Sequence, residues 1–179
     1  MQSWIMKSEP NEYSIEDLER DESSLWYGVR NYLARNYMRD LMREGDRVLF
    51  YHSSCPAPGI YGLVRVVEPT PTMQTRLGLI GAQMWRELTP EATESVAIPD
   101  FTQFELGKYF DPKATLERPI WYAVTVAHES TLPHPITLTD LRAKAGLGSL
   151  KILSPRNRLS ITLVTETEWD ILKKVISSK

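Results

Sequence analysis

Apolar positions fall into short runs along the chain, and their spacing changes from one run to the next. Residues 4–6 are apolar and lead into Lys7, Ser8, Glu9 and Pro10, which predicts a short strand closed by a proline that cannot donate to a ladder. Ser14 with Asp17 three positions on has capping-box spacing, so one or two helical turns follow, ending before the polar residues 20–24. Between residues 32 and 44, Leu33, Ala34, Tyr37, Met38, Leu41 and Met42 recur at helical spacing, with Asn31 as N-cap and Gly45 as stop. Residues 47–51 and 60–67 read as strands rich in Val and aromatic side chains, joined by a proline-containing loop at 53–59.

The pattern breaks down between residues 68 and 119, where six prolines leave only short pieces and one helix is expected at about 81–88. Residues 87–117 carry seven acids against two lysines, which predicts an acidic, solvent-facing stretch. Periodicity then returns as a strand at 120–126, a helix at 137–145 capped by Thr137 with Asp140, and a strand at 158–164. Thr165 with Glu168 opens a last helix over 167–176, with Trp169, Leu172 and Ile176 on one face. Five strands with helices inserted irregularly predict an α+β fold on a mixed or antiparallel sheet, able to curl into a small barrel. A length of 179 residues predicts one domain, 1–179.

Composition changes this picture mainly by exclusion. The 25% charged and 42% hydrophobic residues exclude a disordered chain, and the single cysteine, Cys55, excludes a disulfide framework or a cysteine-rich zinc site. No apolar run reaches the roughly 18–20 residues of a membrane span, and the first residues lack the basic and apolar regions of a signal peptide. Cytoplasmic placement is therefore expected, or nuclear in a eukaryote. No nucleophile elbow, P-loop, dinucleotide fingerprint or zinc-protease motif occurs. His52 and Cys55 are too close in sequence for a typical dyad, and His128 and His134 flank Pro133 with no carboxylate ligand nearby. A binding protein without metal or cofactor is expected, rather than an enzyme.

Three segments point to what is bound. Trp26, Gly28, Val29, Arg30 and Asn31 put a stacking surface, a permissive glycine, a cation and an amide side by side, as a nucleobase requires; a core tryptophan followed by a helix cap fits the same residues. Arg35, Arg39 and Arg43 at four-residue steps suit a phosphate backbone, and equally a solvated helix face. Residues 141–179 carry eight bases against three acids, with Arg156 and Arg158 in one loop. The net charge of −2 thus averages acidic and basic regions and does not exclude a polyanionic partner.

The stretch from Trp4 through Lys7, Ser8, Glu9 and Pro10, then Trp26 to Tyr32, resembles the N-terminal signature of the EVE domain family. Phe50 to Ser53, Gly59 to Gly62, Tyr109 to Lys113, Pro119 to Trp121 and Arg158 to Ser160 fit the same family in order, while about 72–107 departs from it as an insertion. The resemblance implies a PUA-like fold, a small curved β-barrel with helices around it, similar to YTH domains. It implies binding to nucleic acid with a modified base, modified cytosine in DNA favoured; the alternatives are modified RNA and, less favoured, an enzyme acting on nucleic acid, with Glu9 or His52 activating water, or a small-molecule-binding domain. Trp26 would then wall an aromatic pocket lined by Lys7, Ser8, Glu9, Gly28 and Val29, with Glu9 accepting from an exocyclic amine. Arg30 and Asn31 would meet the base edge or a phosphate, and His52 and Ser53 would close the far side. Arg158, Leu159 and Ser160 would complete the rim beside Arg35, Arg39 and Arg43.

Overall fold

The first apolar run forms β1 (Ser3–Ser8), longer at both ends than its sequence pattern. In this computed structural model residues 1–68, 97–100, 109, 111–115 and 118–178 are described. Residues 81–88, where a helix was expected, lie outside them, as does most of the acidic stretch 87–117. After β1 come α1 (Ile15–Asp21), β2 (Ser23–Trp26), α2 (Tyr32–Asn36) running into a π-helical turn (Tyr37–Leu41), β3 (Arg47–His52) and β4 (Gly59–Val67). The later elements are β5 (Ile98–Pro99), β6 (Tyr122–Thr137), α3 (Leu138–Ala143), a 3₁₀ turn (Lys151–Leu153), β7 (Ile161–Val164) and α4 (Glu166–Ile176).

Strand order is β2-β6-β4-β3-β1-β7, with β5 on β6, so the fold is α+β with a mixed sheet. β1 runs parallel to β3 (Ser3 opposite Arg47, Ser8 opposite His52) and antiparallel to β7. Among the described strands no pairing joins β2 to β7, so the sheet does not close into the expected barrel. β1 is paired along both edges, and its residues 3–6 are buried on both faces, so Ser3, Trp4, Ile5 and Met6 lack the alternation of a half-exposed strand. A bulge between Phe50 and Tyr51 shifts the β3–β4 register.

The chain divides into two compact units, one of Met1–Ser23, Gly45–Arg65 and Ala127–Lys179, the other of Ser24–Glu44 and Val66–Val126. In the first, Ile5, Leu49, Ile60, Ile136, Leu141, Trp169 and Leu172 form the main core, with Ile176 packed at its margin. All three capping boxes read from the sequence are present, at Ser14–Asp17, Thr137–Asp140 and Thr165–Glu168. Gly62 permits close packing within this unit: a Cβ there would sit 2.7 Å from Ile15 Cδ1 and from the Ser130 carbonyl. In the second unit Leu25, Ile98 and Ala123 cluster with Tyr27, and Ala114 with Trp121.

Trp4 is fully buried, and its Nε1 donates to Asp46 Oδ2 at 3.0 Å while the Gln2 N–H donates to Oδ1 at 2.7 Å. Asp46→Ala strands the indole N–H in the core and is expected to cost about 2 kcal/mol, measured by urea unfolding.

Three expectations are corrected. The helix at 32–44 stops at Leu41 and is α-helical only to Asn36, because the Met42 N–H reaches back to Tyr37 O across a π turn. Arg35, Arg39 and Arg43 therefore do not share a continuous α-helical stripe, and Arg43 lies beyond the last turn. Residues 87–117 are not uniformly solvent-facing: Ala97, Ile98, Asp100 and Ala114 are buried. The strand expected at 120–126 extends much further as β6, which carries His128 and His134.

Candidate nucleic-acid interface

In the first unit, the end of β1 gathers the sequence-predicted residues of that region. Ser8 O accepts the Ser53 N–H at 2.9 Å, the Ser8 hydroxyl donates to Tyr13 O at 2.7 Å, and the Lys7 N–H donates to Ser160 O at 2.8 Å. Glu9 is exposed and accepts from the Ser54 hydroxyl at 3.0 Å through Oε1. Lys7 is half-buried, and removal from water lowers its ammonium pKa. The Leu159 N–H donates to Asn157 Oδ1 at 3.0 Å, which shapes the turn that carries exposed Arg158 into β7.

His52 has a structural task. Its Nε2 accepts the Ile15 N–H at 3.1 Å, satisfying a donor in the first turn of α1, and its ring stacks on Tyr61 with centroids 4.0 Å apart. Burial lowers its pKa and the Glu16 carboxylate opposes this more weakly, so the neutral ring is favoured. That nitrogen is not available as a base for Cys55. Because the folded pKa lies below the ordinary 6.5, the unfolded chain takes up a proton first as pH falls. The stabilisation is complete above 6.5 and is lost between 6.5 and the lowered folded value. Unfolding free energy measured against pH is expected to fall across that window, and less so in His52→Gln.

In the second unit, Asp100 organises the segment after Trp26. Its side chain is fully buried, and Oδ2 accepts both the Gly28 N–H and Arg30 Nη1, each at 2.8 Å. Arg30 also donates from Nε to Tyr109 O at 2.7 Å, and its guanidinium lies 5.6 Å from the Tyr109 ring centroid and 5.3 Å from that of Trp121. Gly28 has φ +77°, and a Cβ there would meet Tyr109 Cε2 at 2.8 Å, so glycine serves both backbone and packing. Val29 is buried and Trp26 half-buried. Asn31 caps α2, its Oδ1 accepting from the Leu33 and Ala34 N–H groups at 2.9 and 3.1 Å.

The arginines beyond are also engaged. Arg35 donates from Nη1 to Ile120 O and from Nε to Asn36 Oδ1, while Arg39 forks onto Asp40 at 2.6 and 2.9 Å. Burial first, and then the neighbouring Arg39 charge, lower the Arg35 pKa. Arg43 donates to Met42 O at 2.9 Å. Sequence reasoning missed Asp100 and gave Tyr109, Tyr32 and Trp121 no role beyond their place in the family-matching segments, and nothing in the spacing of the residues around Asp100 marks it as the partner of Arg30. Among the described residues, no three His, Cys, Asp or Glu side chains are placed to hold a metal ion. No helix among them is long and apolar enough to cross a membrane.

Comparison with known proteins adds the following. The profile of the EVE domain matches residues 2–78 and 92–175. Human thymocyte nuclear protein 1 is 34% identical over 188 residues, covering 94% of this chain and 71% of its own. The crystal structure of that human protein in complex with 5-methylcytosine-containing DNA is similar with a TM-score of 0.76 and 33% identity, covering 100% of this chain and 99% of that one. A crystal structure from Pseudomonas putida is similar with a TM-score of 0.77 and 38% identity, covering 97% of this chain and 99% of its own.

Proposed function

This chain belongs to the EVE domain family, and on that premise we propose that it reads a modified base, with modified cytosine in DNA as the favoured ligand. The observation that carries the reading is the complex of its human relative with 5-methylcytosine-containing DNA. The base is taken out of the duplex stack to be examined, at a cost of a few kcal/mol. Trp26 offers the stacking surface, which returns about 1–3 kcal/mol per base. Asp100 and Arg30 act as positioning residues, fixing the backbone of Gly28 that follows Trp26.

Lys7, Ser8, Glu9 and Ser53 are assigned to polar contacts with the nucleotide, with Glu9 as acceptor for an exocyclic amine. Asn31 is assigned to the base edge, beyond its capping role. His52 acts through α1 and not as a wall. Arg35, Arg39, Arg43 and Arg158, with Leu159 and Ser160, are assigned to the backbone, which makes affinity fall with salt. Binding without catalysis is inferred, since the one histidine of the cluster uses Nε2 to hold a backbone N–H. Placement in the cytoplasm, or in the nucleus of a eukaryote, fits such a ligand.

The test is a binding screen at fixed salt against matched DNA and RNA oligonucleotides with and without base modifications. Tightest binding to DNA carrying modified cytosine is expected. Tighter binding of the RNA counterpart overturns the choice of polymer, and indifference to every modification overturns the reading.

A further inference from the structure

Unit 2 presents apolar surface that a folded core does not account for. Five large hydrophobic residues are exposed among the described residues, and three of them, Tyr32, Leu33 and Leu41, lie on the single segment from α2 through the π turn. Ala34, Met38 and Met42 of the same segment are fully buried, so its apolar positions divide into an inward set and an outward one. Tyr32 is 60% exposed and Leu33 47%.

Tyr32 is nevertheless held. Its ring centroid is 5.0 Å from that of Trp121 at an interplanar angle of 31°, with the Arg35 guanidinium 5.2 Å from the Tyr32 centroid. Trp121 is fixed in turn by donation from Nε1 to Asp111 Oδ2 at 2.8 Å. A bulky ring fixed from behind and open in front has lost much of its rotamer freedom before any partner arrives, which lowers the entropic cost of using it.

Charge selects the occupant. Residues 29–44 carry four arginines against two acids, and with Arg30 paired to the buried Asp100 the segment still keeps an excess of positive charge. Arg35 donates to a carbonyl and an amide rather than to a carboxylate. A second copy of this surface, meeting the first across a two-fold axis, would set like charges against each other. A polyanion whose interior is stacked apolar rings suits both the charge and the exposed apolar groups.

Resting on the base-extrusion reading, we propose that Tyr32 and Leu33 enter the duplex where the base has left, Tyr32 stacking on the neighbouring pair and Leu33 filling the remaining gap. Apolar wedges between base steps are a known way to hold a duplex distorted. Tyr32 follows Trp26 by six residues, which confines the two to within about 20 Å of each other along the chain.

The experiment compares the wild type, Tyr32→Ala and Leu33→Ser on a 5-methylcytosine duplex and on the same modified strand alone. A 2-aminopurine base beside the modified position reports unstacking. Each variant is expected to lose about tenfold or more in duplex affinity, the scale of one stacking contact, and less than about twofold on the single strand, where no gap exists to fill. The fluorescence rise seen with wild type is expected to shrink in both. Leu33→Ser, an exposed substitution, is expected to keep the wild-type Tm, which separates the effect from unfolding. Equal loss on both substrates, or no loss on the duplex, overturns the proposal. So does a wild-type dimer that Leu33→Ser converts to monomer, since the surface would then be a self-interface. Wild-type protein that does not distinguish modified from unmodified duplex instead overturns the reading beneath it.

Discussion

Arg30→Ala is expected to destabilise the protein by about 3 kcal/mol, near the lower end of the ~3–5 kcal/mol seen when one partner of a buried ion pair is removed. The Asp100 side chain is 0% exposed and that of Arg30 21%, so the substitution takes the guanidinium away from a carboxylate held out of water, while residual exposure of the pair moderates the loss. The bond from Nε to Tyr109 O and the guanidinium's packing against two aromatic rings are lost as well. Arg30→Lys keeps the charge but cannot supply the fork, and is expected to recover only part of the stability. Urea unfolding of the three proteins measures this. A pure phosphate contact would give the opposite result: unchanged stability and a weaker salt dependence of binding.

Trp26→Ala is expected to lower affinity for a duplex with modified cytosine by about 10- to 100-fold, the equivalent of losing roughly 1–3 kcal/mol of base stacking. Trp26→Phe keeps a π-face and is expected to recover most of the affinity. Because Trp26 is half-buried, thermal unfolding of both variants is needed beside the titration. An alanine variant of normal stability and normal affinity removes Trp26 from the pocket.

The sequence and the structure agree best where one local rule governs. Each capping box is a side chain and a backbone N–H a turn apart, so Ser14, Thr137 and Thr165 announce their helices without tertiary information. The Asn31 cap is equally local, and its geometry serves the helix whether or not a base edge lies beyond it. Periodicity also finds 32–44 as helical, but Leu33 and Leu41, which it counts towards a buried face, are exposed. Hydrophobic spacing records that a face is apolar and not what covers it. The π turn is invisible for a related reason, since it preserves the polarity pattern while changing which residues align.

The site is less legible because its supports are distant in sequence. Arg30 and Asp100 are 70 positions apart, and in the sequence Asp100 is one of seven acids between residues 87 and 117, with nothing in their pattern to single it out. His52 looks like a pocket residue by neighbourhood, yet its bond runs to Ile15, 37 positions earlier. Of the four tryptophans in described segments, Trp4 and Trp169 are core and Trp121 backs Tyr32, which leaves Trp26 as the half-buried one assigned to a ligand.

The central claim is most directly tested by the dissociation constants of the wild-type protein for two duplexes of one sequence, differing only in a 5-methyl group on one cytosine, at a single salt concentration. Burying one methyl contributes on the order of 1 kcal/mol, so about fivefold tighter binding of the methylated duplex is predicted. Equal dissociation constants for the two duplexes would contradict the account.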